Sequence, residues 1–380
     1  MSKITSLSEA LSYAMEIRRN YPNRDALAAR QAAINGKCRQ YPVISITHQN
    51  RTDDDFIPEG EFELPEVIMP DTQEGKLSQR LSNLFTPLQL LNPFHLQFST
   101  CKGPGTYTTM FGIPLNPEAA NSPAYTKTID QVLSEPWPEL GKTGLMPEIA
   151  ADIKLIKDNL PPEIKIAMPD TQGPYNVLHS LVGEEAMLAP YMEPNKYHEL
   201  MNRLTDLWIA STQLCMDLIG PEYLDQFEKD VRLAECSANL VSPEFYEEFI
   251  LPYDLRVANH FGNRVRLHPC SGPHVFHGTL KHLPLVWTEA GYIERTAAGA
   301  IAVTEALKAI GDRPVTLGIG QELPKGQEFE FIKNDLDFYE KNPRLLFSYT
   351  GMDWHKEDRE MIRDLHCRLD NYWEEKFFNS

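Results

Sequence analysis

An imidazole and a thiol stand two residues apart at His268 and Cys270, separated only by Pro269. That pair can reach one cation. Zinc favours such a nitrogen–sulfur mixture, and a catalytic zinc takes three protein ligands and keeps one position open for a reactant. A thiol filling that position would stay a thiolate, and so a nucleophile, at neutral pH. Other reactive side chains fall where a strand-like run gives way to a turn. Asp170 precedes Thr171-Gln172-Gly173-Pro174-Tyr175, Glu235-Cys236 follows Val231–Ala234, and Glu289 follows Leu285–Thr288. His48, Cys101, Gln321 and Tyr349-Thr350 occupy similar places. A carboxylate there can take a proton, orient a substrate or bind a metal. The plain alternatives are a helix cap for Asp170, burial for Cys236 and a structural arginine pair for Glu289. His274, His277 and His282 read as solvent-exposed or packed side chains.

The elements that must carry these groups alternate along the chain. Short apolar runs predict eight strands: Val43–Thr47, His95–Ser99, Ile164–Met168, Val231–Ala234, Val265–His268, Leu285–Thr288, Val315–Gly318 and Leu345–Ser348. Helices are expected over 7–36, Asn195–Ile219, 296–310 and 355–378. Another starts at Ser242-Pro243-Glu244, with a capping hydroxyl, proline at the first helical position and an acid near the positive end. Pro252 should kink it. Strands separated by helical crossovers imply an α/β fold of the (β/α)8 TIM-barrel type, with catalysis at the carboxyl ends of the strands. No GxGxxG follows a strand, which weakens the rival doubly wound dinucleotide fold. We expect residues 1–40 as an N-terminal helical extension and 41–380 as a single barrel domain. The Asp-, Glu- and Pro-rich stretch 49–91 reads as an inserted lid or contact segment. The echo Met69–Gln73 and Met168–Gln172 is too short for a repeat.

Bulk chemistry narrows the function. The net charge of −18 opposes duplex nucleic acid and anionic membrane surfaces as partners, while leaving room for a small basic pocket that takes an anionic substrate. Hydrophobic residues make up 42% and charged residues 24%, enough for a large core. There is no run of about 18 apolar residues and no signal-peptide pattern, so a cytoplasmic protein is expected. Its six scattered cysteines read as reduced thiols.

Several blocks resemble the uroporphyrinogen decarboxylase superfamily, which includes the porphyrin-forming decarboxylase and the methylcobalamin:coenzyme M methyltransferases. ALAARQAAINGKCRQYPVIS from Ala26 looks like the opening of the methyltransferase-like branch. DTQGPYNVLHSLVGEEAMLAPYMEPNKYHELMNRLTDLWI from Asp170 looks like the family's third-strand turn and following helices. AECSANLVSPEFYEEFILPYDLRV carries SP-x-x-[FY]-x-x-F-x-x-P-Y, and RLHPCSGP falls where that branch has H-x-C-G. The resemblance implies a barrel enzyme. It implies zinc on His268 and Cys270, a small-molecule substrate, and a corrinoid, carried by a corrinoid protein, as methyl donor. The branch's later cysteine ligand near the last strand has no counterpart in Phe347–Gly351, so Glu289, or Cys236 after it, is the expected third ligand. Asp170 and Glu235 are the expected catalytic groups, with Tyr175, Asn239 and Tyr349 binding substrate. Uroporphyrinogen itself is not the expected substrate. The decarboxylase's M-R-Q-A-G-R-Y motif is missing, Ser180 stands near its tyrosine's place, and Tyr349-Thr350-Gly351 replaces its closing G-H-G. Two alternatives stay open: a metal-free decarboxylase acting on another carboxylic acid, and a non-catalytic tetrapyrrole- or corrinoid-binding protein. A homo-oligomer is compatible with the acidic segment.

Overall fold

The structure is a computed structural model. It describes residues 105–116, 122–162, 165–170, 172–224, 229–268, 281–292, 307–339 and 345–351, strand pieces at 43–48, 66–67 and 97–99, and scattered positions in 3–12 and 361–375. Each of the eight expected strands has described residues, while His95, Leu96 and Ile164 of the expected ranges lie outside them. The strands are β1 (Val43–His48), β2 (Gln97–Ser99), β3 (Lys165–Ala167), β4 (Val231–Ala234), β5 (Val265–His268), β6 (Leu285–Tyr292), β7 (Thr316–Glu322) and β8 (Leu345–Gly351). The expected helices at 7–36 and 355–378, most of 296–310, and nearly all of the acidic segment 49–91 lie outside the described residues.

The chain sorts into two compact units, 97–315 and the combination of 1–96 with 316–380. In the second of these, β1 pairs in parallel with β8, and β8 with β7. First and last strands are therefore neighbours. In unit 97–315, β2 pairs in parallel with β3, β4 with β5, and β5 with β6. The turn after β3 joins β4 through a parallel bridge between Gln172 and Ala234, and Gly173 N donates to Ala234 O at 2.8 Å. Strand neighbours thus follow sequence order, and the intervening chain supplies the crossovers that parallel pairing requires.

Alternation decides what each strand buries. Ile166, Val231, Leu233, Val265 and Leu267 are buried, whereas Lys165, Arg232, Arg266 and His268, at the intervening positions, keep partial access. One sheet face is therefore apolar core and the other carries polar chemistry. Burying each large aliphatic side chain contributes roughly 1.5–3 kcal/mol.

Helix Pro194–Ile219 (α1) runs as expected, with Pro194 in its first turn and Leu200, Met201, Leu204, Leu207 and Trp208 buried. The expected kink at Pro252 takes a particular form. Pro243–Phe245 is α-helical, Tyr246–Ile250 is a π turn, and Leu251–His260 (α2) is α-helical again. Proline lacks the N–H that would bond one turn back and its ring crowds that turn, and a widened turn accommodates both. Tyr197 Oη donates to Phe249 O at 2.8 Å, which supplies a partner inside the irregular stretch. Ser242 Oγ accepts from Phe245 N at 3.2 Å, so the expected cap is present.

Candidate functional site

Gln172 anchors the turn after β3. Its carbonyl accepts from Trp208 Nε1 of α1 at 2.6 Å, and its side-chain oxygen accepts from Asn176 Nδ2. The turn hands over to helix Pro174–Val182 (α3). Asp170, just before it, accepts at Oδ1 from Arg232 Nη1 of β4 at 2.5 Å and from Gln172 Nε2 at 3.2 Å. Arg232 and Asp170 are each about three-tenths exposed, so this is a partly sheltered pair on the polar face. It is not a helix cap.

His268 ends β5 on the same face. Its ring nitrogen is pushed down to about 4, first by burial and then by the positive charge of Arg232, with Asp170 opposing. His268 is therefore a neutral imidazole at neutral pH, the protonation state a metal or a proton can use. Asp170 and Arg232 both act electrostatically on His268, so two expected residues and one unexpected one form a single polar cluster.

Glu235 takes a different place from the one expected. It is fully buried, and its carboxylate accepts from Tyr175 N at 3.2 Å and Asn176 N at 2.9 Å, the amide groups at the start of α3. The 3-10 turn Cys236–Leu240 begins immediately after it. A Cβ on Gly173 would lie 2.1 Å from Glu235 Oε1, so this glycine serves close approach; its φ of −62° is ordinary. Asp254 of α2 is also fully buried and accepts from Tyr246 Oη at 2.6 Å. Burial, and then the charge of Asp254, push Glu235 well up against the pull of its two amide bonds. Burial pushes Asp254 up to about 7, opposed by its hydrogen bonds to Tyr246 and Glu235. Asp254 Oδ1 meets no N–H or O–H donor of another group. The two carboxyls therefore share a proton, because two buried carboxylates in contact cannot both ionise. Glu235, expected as a catalytic group, is closed to solvent here and holds the start of α3.

Tyr175 is likewise fully buried, with its ring edge-on to Phe245 at 6.0 Å and its hydroxyl without a hydrogen-bond partner. This expected substrate contact is packed away from solvent, at the second helical position of α3. Asn239 lies partly exposed on the 3-10 turn. Cys236 is disulfide-bonded, which departs from the expected free thiol, whereas Cys215 is a buried free thiol. Glu289 and Tyr349 lie within β6 and β8, because those strands run longer than expected; their side chains lie outside the described residues. Cys270 lies outside the described residues too. Among the described residues, no three His, Cys, Asp or Glu side chains form a metal-sized group. No helix among them is long and apolar enough to cross a membrane.

A second polar cluster escaped the sequence reading. Ser237 N and Oγ donate to Asn176 Oδ1 at 2.8 and 2.5 Å, and Ser237 Oγ lies 3.1 Å from His179 Nδ1. Burial pushes His179 down, with Glu184 opposing. This network locks the turn after β4 onto α3. Arg232 escaped as well, although Val-Arg-Leu in both β4 and β5 is a visible signal.

Residues 106–291 match the family model described as uroporphyrinogen decarboxylase (URO-D). Among solved structures, a methyltransferase from Methanosarcina mazei shares the fold, with a TM-score of 0.54 at 15% identity, covering 97% of this chain and 100% of that one. No curated protein matches. The matched residues carry the strands, the turn and the helices that build the site, and over them the chain is similar to the uroporphyrinogen decarboxylase family.

Proposed function

We propose that the chain is a (β/α)8-barrel enzyme of the methyltransferase-like branch, transferring a methyl group between a corrinoid and a small acceptor. The barrel reading draws support from the pairing of β1 with β8 and from strand neighbours that follow sequence order. The observation that carries the activity is His268: a neutral imidazole ending β5 on the polar face, beside the Asp170–Arg232 pair, with a thiol two residues on.

In this reading His268 and Cys270 hold zinc. Of the two candidates for a third ligand, Glu289 and Cys236, we favour Cys236. It stands two residues beyond Ala234, the register partner of His268, and Cys270 follows His268 by the same two residues in sequence. Its disulfide must be reduced before it can serve. Bound zinc would supply a Lewis acid that keeps an acceptor thiol ionised at neutral pH. Asp170 and Arg232 orient the acceptor, and Glu235 holds α3 so that Asp170 and Gln172 keep their places. A separate corrinoid protein is the proposed partner.

The test is methylcobalamin absorbance in the visible under a thiol reductant, with small thiols as acceptors. Loss of the methylcobalamin band with wild type but not with Cys270→Ser supports the reading. Equal rates from both proteins refute it. The metal-free decarboxylase alternative draws on the same Asp170–Arg232 pair. It predicts that Asp170→Asn abolishes activity while Cys270→Ser does not.

A further inference from the structure

Helix Glu185–Met192 (α4) follows α3 across Gly183 and Glu184. After Glu185 it reads Ala-Met-Leu-Ala-Pro-Tyr-Met, with no charged residue. A helix that is apolar all round is ordinarily buried all round. This one is covered on one side only. Ala186, Ala189 and Pro190 are buried, whereas Leu188, Tyr191 and Met192 are 61%, 66% and 78% exposed. Positions i, i+3 and i+4 share one helix face, so the three large side chains form a single apolar strip. The Tyr191 ring leans edge-on against Phe249 at 5.2 Å and Phe245 at 6.1 Å, which anchors the strip on the helical turns after Ser242.

Acids border the strip. Glu184, one helical turn before Leu188, is exposed, and so are Glu244 and Glu248, next to Phe245 and Phe249 in the chain. Lys196, the nearest lysine along the chain, is taken up by Asp130 at 2.7 Å and Glu193 at 2.9 Å. An exposed apolar surface with a charged border marks a contact site, and the sign of the border selects the partner. A second copy of this chain would bring acids against acids, in a protein whose net charge is already −18. A basic border on the partner would instead be attracted.

We infer that Leu188, Tyr191 and Met192 are a docking strip for a protein partner that presents an amphipathic helix, apolar on one face and flanked there by lysines or arginines. Tyrosine and methionine suit such a contact, the first as a rigid anchor with a polar tip and the second as an adaptable filler. The inference uses neither the metal nor the methyl transfer proposed above, so each can fail without the other.

The experiment is fluorescence anisotropy of a labelled amphipathic helical peptide of leucine and lysine, titrated with the full chain at low ionic strength. A peptide with serine in place of leucine and one with glutamate in place of lysine are the controls. Saturable binding of the leucine–lysine peptide is expected, weakened by added salt, with neither control saturating. Leu188→Ser/Met192→Ser should weaken it at least tenfold, and Glu244→Gln/Glu248→Gln at least threefold. Met192→Lys, a single change at the most exposed position of the strip, is the second variant should the first not fold, and should weaken binding at least fivefold. Leu140→Ser checks for adsorption elsewhere. Leu140 is exposed too, but a Cβ on its neighbour Gly141 would lie 3.1 Å from Leu214, toward the far end of α1, and this variant should bind as wild type does. The inference is overturned if the peptide does not bind, if either control binds equally, if the strip variants fall short of those losses, or if Leu140→Ser weakens binding as much. It is also overturned if sedimentation finds wild type dimeric and Leu188→Ser/Met192→Ser monomeric, because a second copy then covers the strip.

Discussion

Replacing Asp254 by asparagine should remove the part of the pH dependence of stability that Asp254 itself creates. Asp254 and Glu235 are both inaccessible to solvent, and Asp254 is pushed up to about 7. A raised carboxyl favours the folded state in its protonated form. Its contribution is therefore fully present below the ordinary aspartate range near pH 4 and is lost as pH rises through about 7. The interval spans about three decades of proton affinity, of order 4 kcal/mol at 1.36 kcal/mol per decade. The asparagine side chain reproduces the protonated acid: its oxygen accepts from Tyr246 and its NH2 donates to Glu235. Urea unfolding of wild type and Asp254→Asn at pH 5, 6, 7 and 8 measures the effect. At pH 5 the variant should already be the more stable by about 1–2 kcal/mol, and by pH 8 by about 4 kcal/mol. A difference that stays flat across this range, or an asparagine variant that fails to fold at pH 5, would refute the shared proton.

Three further outcomes follow from single contacts. Gly173→Ala puts a methyl group 2.1 Å from Glu235 Oε1, and should cost about 2 kcal/mol or more by urea unfolding. The loss should shrink in the Gly173→Ala/Glu235→Ala double variant if that clash is its cause. Trp208→Phe removes the donor to Gln172 O and leaves that carbonyl short of a partner; about 1–3 kcal/mol beyond the lost packing is expected from the same measurement. Ser242→Ala should cost about 1 kcal/mol in thermal unfolding, since it removes the acceptor for Phe245 N; a loss below a few tenths would show that the cap is idle.

The strands were legible because buried parallel strands are short apolar runs bounded by turns, and every one of the eight appears where it was expected. The α1 helix, Ser242 as a cap and Pro252 as a break were legible for equally local reasons. The site was legible only in part. Asp170 and His268 do meet on one face, as their places at strand ends imply. Glu235 has the same kind of place, yet a 3-10 turn starts directly after it and the start of α3 offers two amide donors, so the carboxylate turns inward. Tyr175 faces the core because α3 begins at Pro174, a rotation that the turn residues alone do not reveal. Reading only strand ends missed Arg232 at mid-strand, although alternation against Val and Leu marks it as a polar-face residue. Glu289 and Tyr349 were expected beyond their strands, but apolarity ends before hydrogen-bonded pairing does, so they fall inside β6 and β8.

The zinc content of untagged protein, purified under a thiol reductant and measured by elemental analysis, tests the central claim most directly. The account predicts about one zinc per chain in wild type, lost in His268→Ala and in Cys270→Ser. Less than about a tenth of an equivalent in wild type, or a content that neither substitution changes, would contradict it.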